Sequence, residues 1–214
     1  MFIGTPPVTD AVERLRATDV QLLGYVMNLT SLWGWRPDAY DDFVALRGKL
    51  TAASSLSMRE VAVIVCASAS SLGDSYCSLA WGRKLAAVAD PTVAIAVLQD
   101  TWCESMTDRE RALSSWARQV VMDPNGATQR HVDALRAAGL DDREIFEATL
   151  FTALRLAFST VNDALGVTPD WQVAEAASPE LRKAVRFGRA PDVRPATAAG
   201  FAASTSPHAA AQGV

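Results

Sequence analysis

Apolar residues in this chain return at helical spacing, and no segment alternates apolar and polar side chains in the way a half-buried strand requires. The i, i+3, i+4 pattern runs through Ala11, Val12 and Leu15, through Tyr40, Phe43, Val44 and Leu46, and through Ile145, Ala148, Phe151, Thr152 and Leu154. The punctuation agrees with the periodicity. Pro37, Ser57, Asp74, Thr107 and Asp141 stand where helices open, and Gly139 and Gly166 where others have closed. Ser57 and Glu60 are spaced as a capping box at the head of the apolar run that ends at Leu72-Gly73. The expectation is an all-α fold, a helical bundle in a single domain over residues 1–188.

Composition sets the outer limits. With 214 residues, half of them hydrophobic, the chain has room for a substantial core. A net charge of −4 and no extended basic face argue against a nucleic-acid binder, and the stretch from Arg182 to Arg189 reads as a solvated helix end. Three scattered cysteines, Cys66, Cys77 and Cys103, fit a reducing cytoplasm. The segment Met1 to Pro7 lacks a signal peptide's basic start and apolar stretch. No apolar run approaches the ~18 to 20 residues of a membrane span. Residues 189–214 turn to Ala, Pro, Ser and Thr, a low-complexity tail expected to be flexible or to lie on a neighbouring subunit.

Chemistry concentrates in Gly73-Asp74-Ser75-Tyr76-Cys77-Ser78-Leu79-Ala80-Trp81. With Asp74 as N-cap, Cys77 falls within the first turn of a helix, where unpaired N–H groups and the helix dipole favour an anion and can lower a thiol pKa. Asp74 opposes this, because a carboxylate in the same turn occupies those N–H groups and repels a thiolate. Trp81 lies one turn further on the same face. It packs beside the sulfur in the core or, with Tyr76, lines an apolar pocket to which Asp74, Ser75, Ser78 and the Cys77 thiol lend polar groups. Cys66 reads as a small core residue. His131 reads as solvent-facing near a helix start, His208 lies in the tail, and neither has the neighbours a metal site needs. Isolated Gly73 and Gly82 form no phosphate loop.

This motif resembles that of the AhpD-like alkylhydroperoxidase and carboxymuconolactone decarboxylase superfamily, in its peroxidase-related branch. Leu23 to Leu29 with Pro37 and Phe43 to Leu46 resemble the family's entry segment. Thr107 to Leu113, Asp133 to Ile145 and Asp163 to Val167 resemble its second half, so the likeness runs from about residue 22 to 170. It implies an AhpD-like helical bundle and a homo-oligomer with its site near subunit boundaries. Redox-active relatives carry Cys-x-x-Cys-x-x-x-His and an earlier Glu. Here Asp74 stands for the first Cys, Cys77 for the second, Trp81 for the His and Ala62 for the Glu, with Glu60 two residues out of register.

A disulfide cycle within the motif cannot close, and position 81 cannot carry a proton. Three functions follow from what is left. One is a diverged, cofactor-free enzyme doing lyase- or isomerase-type proton transfer on a small organic molecule. Its expected catalytic residues are Cys77, Asp74 and Glu60, with Tyr76, Ser78 and Trp81 binding substrate and no metal. Another is a one-Cys alkyl hydroperoxide reductase, in which a Cys77 sulfenic acid is resolved by an external thiol. The last is a non-catalytic binding or structural subunit.

Overall fold

A computed structural model describes residues 1–196, and among them there are eleven α-helices and no strand. They are α1 (Asp10–Leu23), α2 (Asn28–Trp33), α3 (Pro37–Ala53), α4 (Met58–Leu72), α5 (Ser75–Val88), α6 (Pro91–Leu98), α7 (Asp108–Met122), α8 (Gln129–Ala137), α9 (Asp142–Ala164), α10 (Trp171–Ala176) and α11 (Pro179–Ala184). The tail expected over 189–214 is therefore described only as far as residue 196, and His208 lies outside the described residues.

Helix α4 is the axis. Every residue from Val61 to Ala69 is buried, and α5, α7 and α9 pack around it, so it is apolar on all sides. Its start is the expected capping box: Ser57 Oγ accepts from the Glu60 N–H, and the Glu60 carboxylate accepts from the Ser57 N–H at 2.8 Å. Capping boxes also open α7 at Thr107/Glu110 and α9 at Asp141/Glu144. Two arginines tie the three helix heads together. Arg109 bridges Glu60 at 2.7 Å and Glu144 at 2.8 Å, and Arg59 pairs with the buried Glu110. Carboxylates at helix N-termini also complement the helix dipoles.

At its other end α4 stops on Gly73, whose φ of 75° closes the helix in the left-handed conformation. Asp74 then caps α5, accepting from the Cys77 N–H at 2.9 Å. A second, smaller core fills the junction of α2, α5 and α9, where Met27, Leu29, Leu32, Tyr76, Cys77 and Phe158 meet. Trp33 belongs to it, stacked on Phe158 at 5.3 Å and donating its indole N–H to Asn162. Trp35 stays exposed and donates to the Gly4 carbonyl.

Residues 189–196 return to this junction through polar contacts. Ser75 Oγ donates to the Arg189 carbonyl at 2.7 Å, Asp192 accepts from Asn28 and Thr168, and Arg194 pairs with Glu175. Gly188, at φ 71°, lets the chain pass so close that a Cβ there would sit 2.3 Å from the Gly73 carbonyl oxygen. With its Val193 side chain left exposed, this stretch docks by hydrogen bonds and ion pairs.

Candidate functional site

Cys77 is sealed. It has no exposed surface and sits among three groups that decide its chemistry. Its own N–H is held by Asp74 Oδ1, Ser159 Oγ lies 3.8 Å from the sulfur, and Arg155 Nη1 donates to the sulfur at 3.4 Å. Ser159 also donates to Asp74 Oδ2 at 2.5 Å, so α9 clamps the head of α5 through the carboxylate. Burial, and then Asp74, push the thiol pKa up, and the opposing influence of Arg155 does not offset them. The helix position that favours a thiolate is thus overridden by desolvation and by the cap.

The other expected site residues are placed as follows. Tyr76 is buried and donates its hydroxyl to Asp170, whose other oxygen accepts from the Asn28 N–H at 3.0 Å. Ser78 is buried, and among the described residues its hydroxyl has no hydrogen-bond partner. Glu60 belongs to the cap and arginine network. Burial pushes its carboxyl up, but hydrogen bonds from Arg109 and Ser57 hold it below its ordinary value. His131 is half-buried; its Nδ1 accepts from the Thr128 N–H at 3.1 Å at the start of α8. Of the six residues expected at the site, only Trp81 lines a cavity between the helices, and Cys77, Asp74, Tyr76, Ser78 and Glu60 do not.

That cavity encloses about 50 Å³ where α3, α4, α5 and α9 meet. Its walls are apolar: Phe43 from α3, Val61 and Val65 from α4, Trp81 from α5, Phe151 and Leu154 from α9. Its polar groups are almost all cations. Arg47 enters from α3, Lys84 from α5 and Arg155 from α9, and no carboxylate is among the lining residues. The Lys84 ammonium lies 4.2 Å from the centre of the Trp81 ring, and the Arg155 guanidinium lies 5.3 Å from the same ring. Neither forms an ion pair with a carboxylate among the described residues.

Crowding of like charge shows in the ionisation. Burial, then Arg47 and Arg155, bring the Lys84 amine down to about 8. Burial and then Arg155 bring Arg47 down to about 10. A desolvated lysine beside other cations is a proton donor and acceptor near neutral pH, and a nucleophile. Arg155 joins the two halves of the region, with Cys77 at one edge and the cavity at the other. Among the described residues no group of His, Cys, Asp and Glu is arranged to hold a metal.

Sequence reasoning missed Arg47, Lys84 and Arg155. Lys84 carried a signal. Cys77, Trp81 and Lys84 are spaced i, i+4, i+7 along one face of α5, and Lys84 is one of only three lysines in the chain. Arg155 carried none, standing 78 residues from Cys77 in sequence.

The helical architecture defines an AhpD-like fold, with Cys77 buried in its core. Solved structures agree on the fold. An uncharacterized peroxidase-related protein with an alkylhydroperoxidase AhpD core, from Ralstonia eutropha JMP134, is similar at a TM-score of 0.66 and 20% identity, over 88% of this chain and 97% of that one. A peroxidase-related protein from Silicibacter sp. TM1040 gives 0.68 and 19%, over 86% and 95%. The debrominase Bmp8, in an alanine variant bound to 2,3,4-tribromopyrrole, gives 0.64 and 17%, over 85% and 94%. No protein-family model and no curated protein matches the sequence.

Proposed function

We propose that this protein is a cofactor-free enzyme that moves a proton on a small organic anion held in the α3/α4/α5/α9 cavity. The observation that carries this is the meeting of Lys84 and Arg155 over the Trp81 ring, on an apolar wall that Arg47 also lines, with neither Lys84 nor Arg155 in an ion pair with a carboxylate among the described residues. Cations brought out of water are costly unless something negative joins them, and a carboxylate is the organic group that two guanidiniums recognise best. Lys84 is the residue suited to carry the proton, and Trp81 forms the flat wall against which an apolar or planar substrate body lies. The debrominase with tribromopyrrole supports the reading in one respect: a similar fold binds a small ring molecule.

Cys77 and Asp74 take a different place from the one expected at the motif. They act from behind the cavity, through Arg155, and no surface of Cys77 is open to a hydroperoxide. The sealed thiol favours one further reading, a non-catalytic subunit that binds the same anion. One experiment separates the two. The protein is titrated with pyruvate, acetoacetate, lactate and benzoate by calorimetry, then incubated with the binders in deuterium oxide while NMR follows exchange of carbon-bound protons. Saturable binding with enhanced exchange, lost in Lys84→Met, is the expected result. Binding without exchange overturns the enzymatic reading in favour of the binding subunit, and absence of binding across the panel overturns both.

A further inference from the structure

The cavity's one primary amine shares its lining with two guanidiniums, and that combination narrows the substrate further than charge alone. We propose, resting on the reading of the cavity as an anion site, that Lys84 forms an iminium with the carbonyl carbon of a small 2-oxo acid whose carboxylate lies against Arg47 and Arg155. The two functional groups of such an acid are adjacent, so a substrate of three or four carbons brings a carboxylate and a carbonyl together to a small cavity whose lining holds both recognition elements. The walls contributed by Val61, Val65, Phe151 and Leu154 are apolar, which suits a short alkyl remainder and disfavours the hydrolysis of an imine by bulk water.

The step balances without a co-reactant. The lone pair of neutral Lys84 Nζ attacks the carbonyl carbon, whose C–O π pair moves to oxygen. Protonation of that oxygen and loss of one water then leave a C=N⁺ bond. Counted from the ammonium, one ammonium and one ketone give one iminium and one water, with charge conserved. The iminium draws electrons from the neighbouring carbon, so a C–H bond there becomes easier to break, its pair forming a C=C bond as the C=N⁺ pair moves to nitrogen to give an enamine, an outcome of the proton-transfer type.

Lys84 is also set apart from the other amines of the chain. Lys49 and Lys183 are exposed on α3 and α11, whereas Lys84 is half-buried. With its amine brought down to about 8 by burial and by Arg47 and Arg155, the neutral fraction at about pH 7.5 exceeds that of an exposed lysine by roughly two orders of magnitude.

The test is reductive trapping on the full chain. Protein is incubated with pyruvate and sodium cyanoborohydride, and the modified lysine is located by peptide mass mapping, with pyruvate affinity measured in parallel by calorimetry. The expected result is one reduced pyruvyl adduct on Lys84, formed about tenfold or more faster than on Lys49 or Lys183. Lys84→Arg, which keeps a cation but has no addition-competent amine, is expected to abolish the adduct at position 84. Adducts spread evenly over the three lysines overturn the proposal. Saturable pyruvate binding with no adduct overturns the iminium alone and leaves the anion cavity standing. Loss of both binding and trapping overturns the cavity reading as well.

Discussion

Replacing Arg155 by methionine separates function from stability, because ligand affinity should fall while stability holds. Arg155 is 4% exposed, touches the Cys77 sulfur and the Trp81 and Phe158 rings, and has no carboxylate ion pair among the described residues. Methionine keeps most of its length and apolar volume and removes the charge. For a bound carboxylate the loss is one charge-assisted hydrogen bond, ~1.5 to 3 kcal/mol. Calorimetry should then show pyruvate or benzoate binding weakened by about ten- to hundredfold. For the protein alone, three contributions compete. The substitution relieves the desolvation cost of a buried cation, of the order of 1 to 4 kcal/mol. Against this stand two cation–π contacts at roughly 0.5 to 2 kcal/mol each and one weak hydrogen bond to sulfur. The net change is about zero, so the melting temperature should stay within about 4 °C of the parent. A fall of more than about 5 °C, with ligand affinity unchanged, would make Arg155 a structural clamp on Cys77 and refute the argument.

Three other outcomes are expected. Carboxylate binding should weaken by about tenfold as pH rises through about 8, because Lys84 is charged below that value and neutral above it, and Lys84→Met should flatten the profile. Stoichiometric tert-butyl hydroperoxide should leave Cys77 reduced in the native protein, with any oxidation falling first on the half-exposed Cys103; peptide mapping that finds a rapid Cys77 sulfenic acid would restore the one-Cys peroxidase. Tyr76→Phe should destabilise in a pH-dependent way. Burial raises Asp170 to about 6, so its contribution to stability is fully present below about 4 and is lost as pH rises through about 6. Without the Tyr76 hydroxyl the charged carboxylate loses a buried donor, costing ~1.5 to 3 kcal/mol at pH 8 and less at pH 5; equal losses at both pH values in thermal melts would argue against this account.

What was legible in the sequence was local. Ser57/Glu60 as a capping box, Asp74 as the cap of α5 and the glycine stop at Gly73 are settled within four residues of chain, and the structure has all of them. The all-α class holds for the same reason, since helical periodicity extends over most of the chain, and the resemblance to AhpD-core proteins holds at the level of the fold. The environment of Cys77 was not legible. Whether that thiol faced a pocket depended on Phe158, Arg155 and Ser159 from α9 and on Leu29 from α2, none of them near it in sequence. The polar docking of residues 189–196 escaped composition too, because low hydrophobicity argues only against a packed core and not against hydrogen bonds to Ser75 and Asn28.

Overall charge misleads about the site for a related reason. The chain has 24 acidic and 20 basic residues, and an average of that kind suggests a surface that repels anions. Yet the acids are committed elsewhere. Glu60, Glu110 and Glu144 serve helix heads, Asp74 serves the cap of α5, and Asp170 serves Tyr76. Lys84 and Arg155 stand on the cavity wall with no carboxylate ion pair among the described residues. In α5 the consequence is a displacement along the helix. The head of the helix, where N–H groups and dipole favour a thiolate, is neutralised by the Asp74 carboxylate, and the region that favours an anion lies one to two turns further, at Trp81 and Lys84. A chain that had merely decayed from a redox ancestor would have no reason to gather cations at a desolvated wall, where each lowers the ionisation of the next. The arrangement makes physical sense once an anion occupies it.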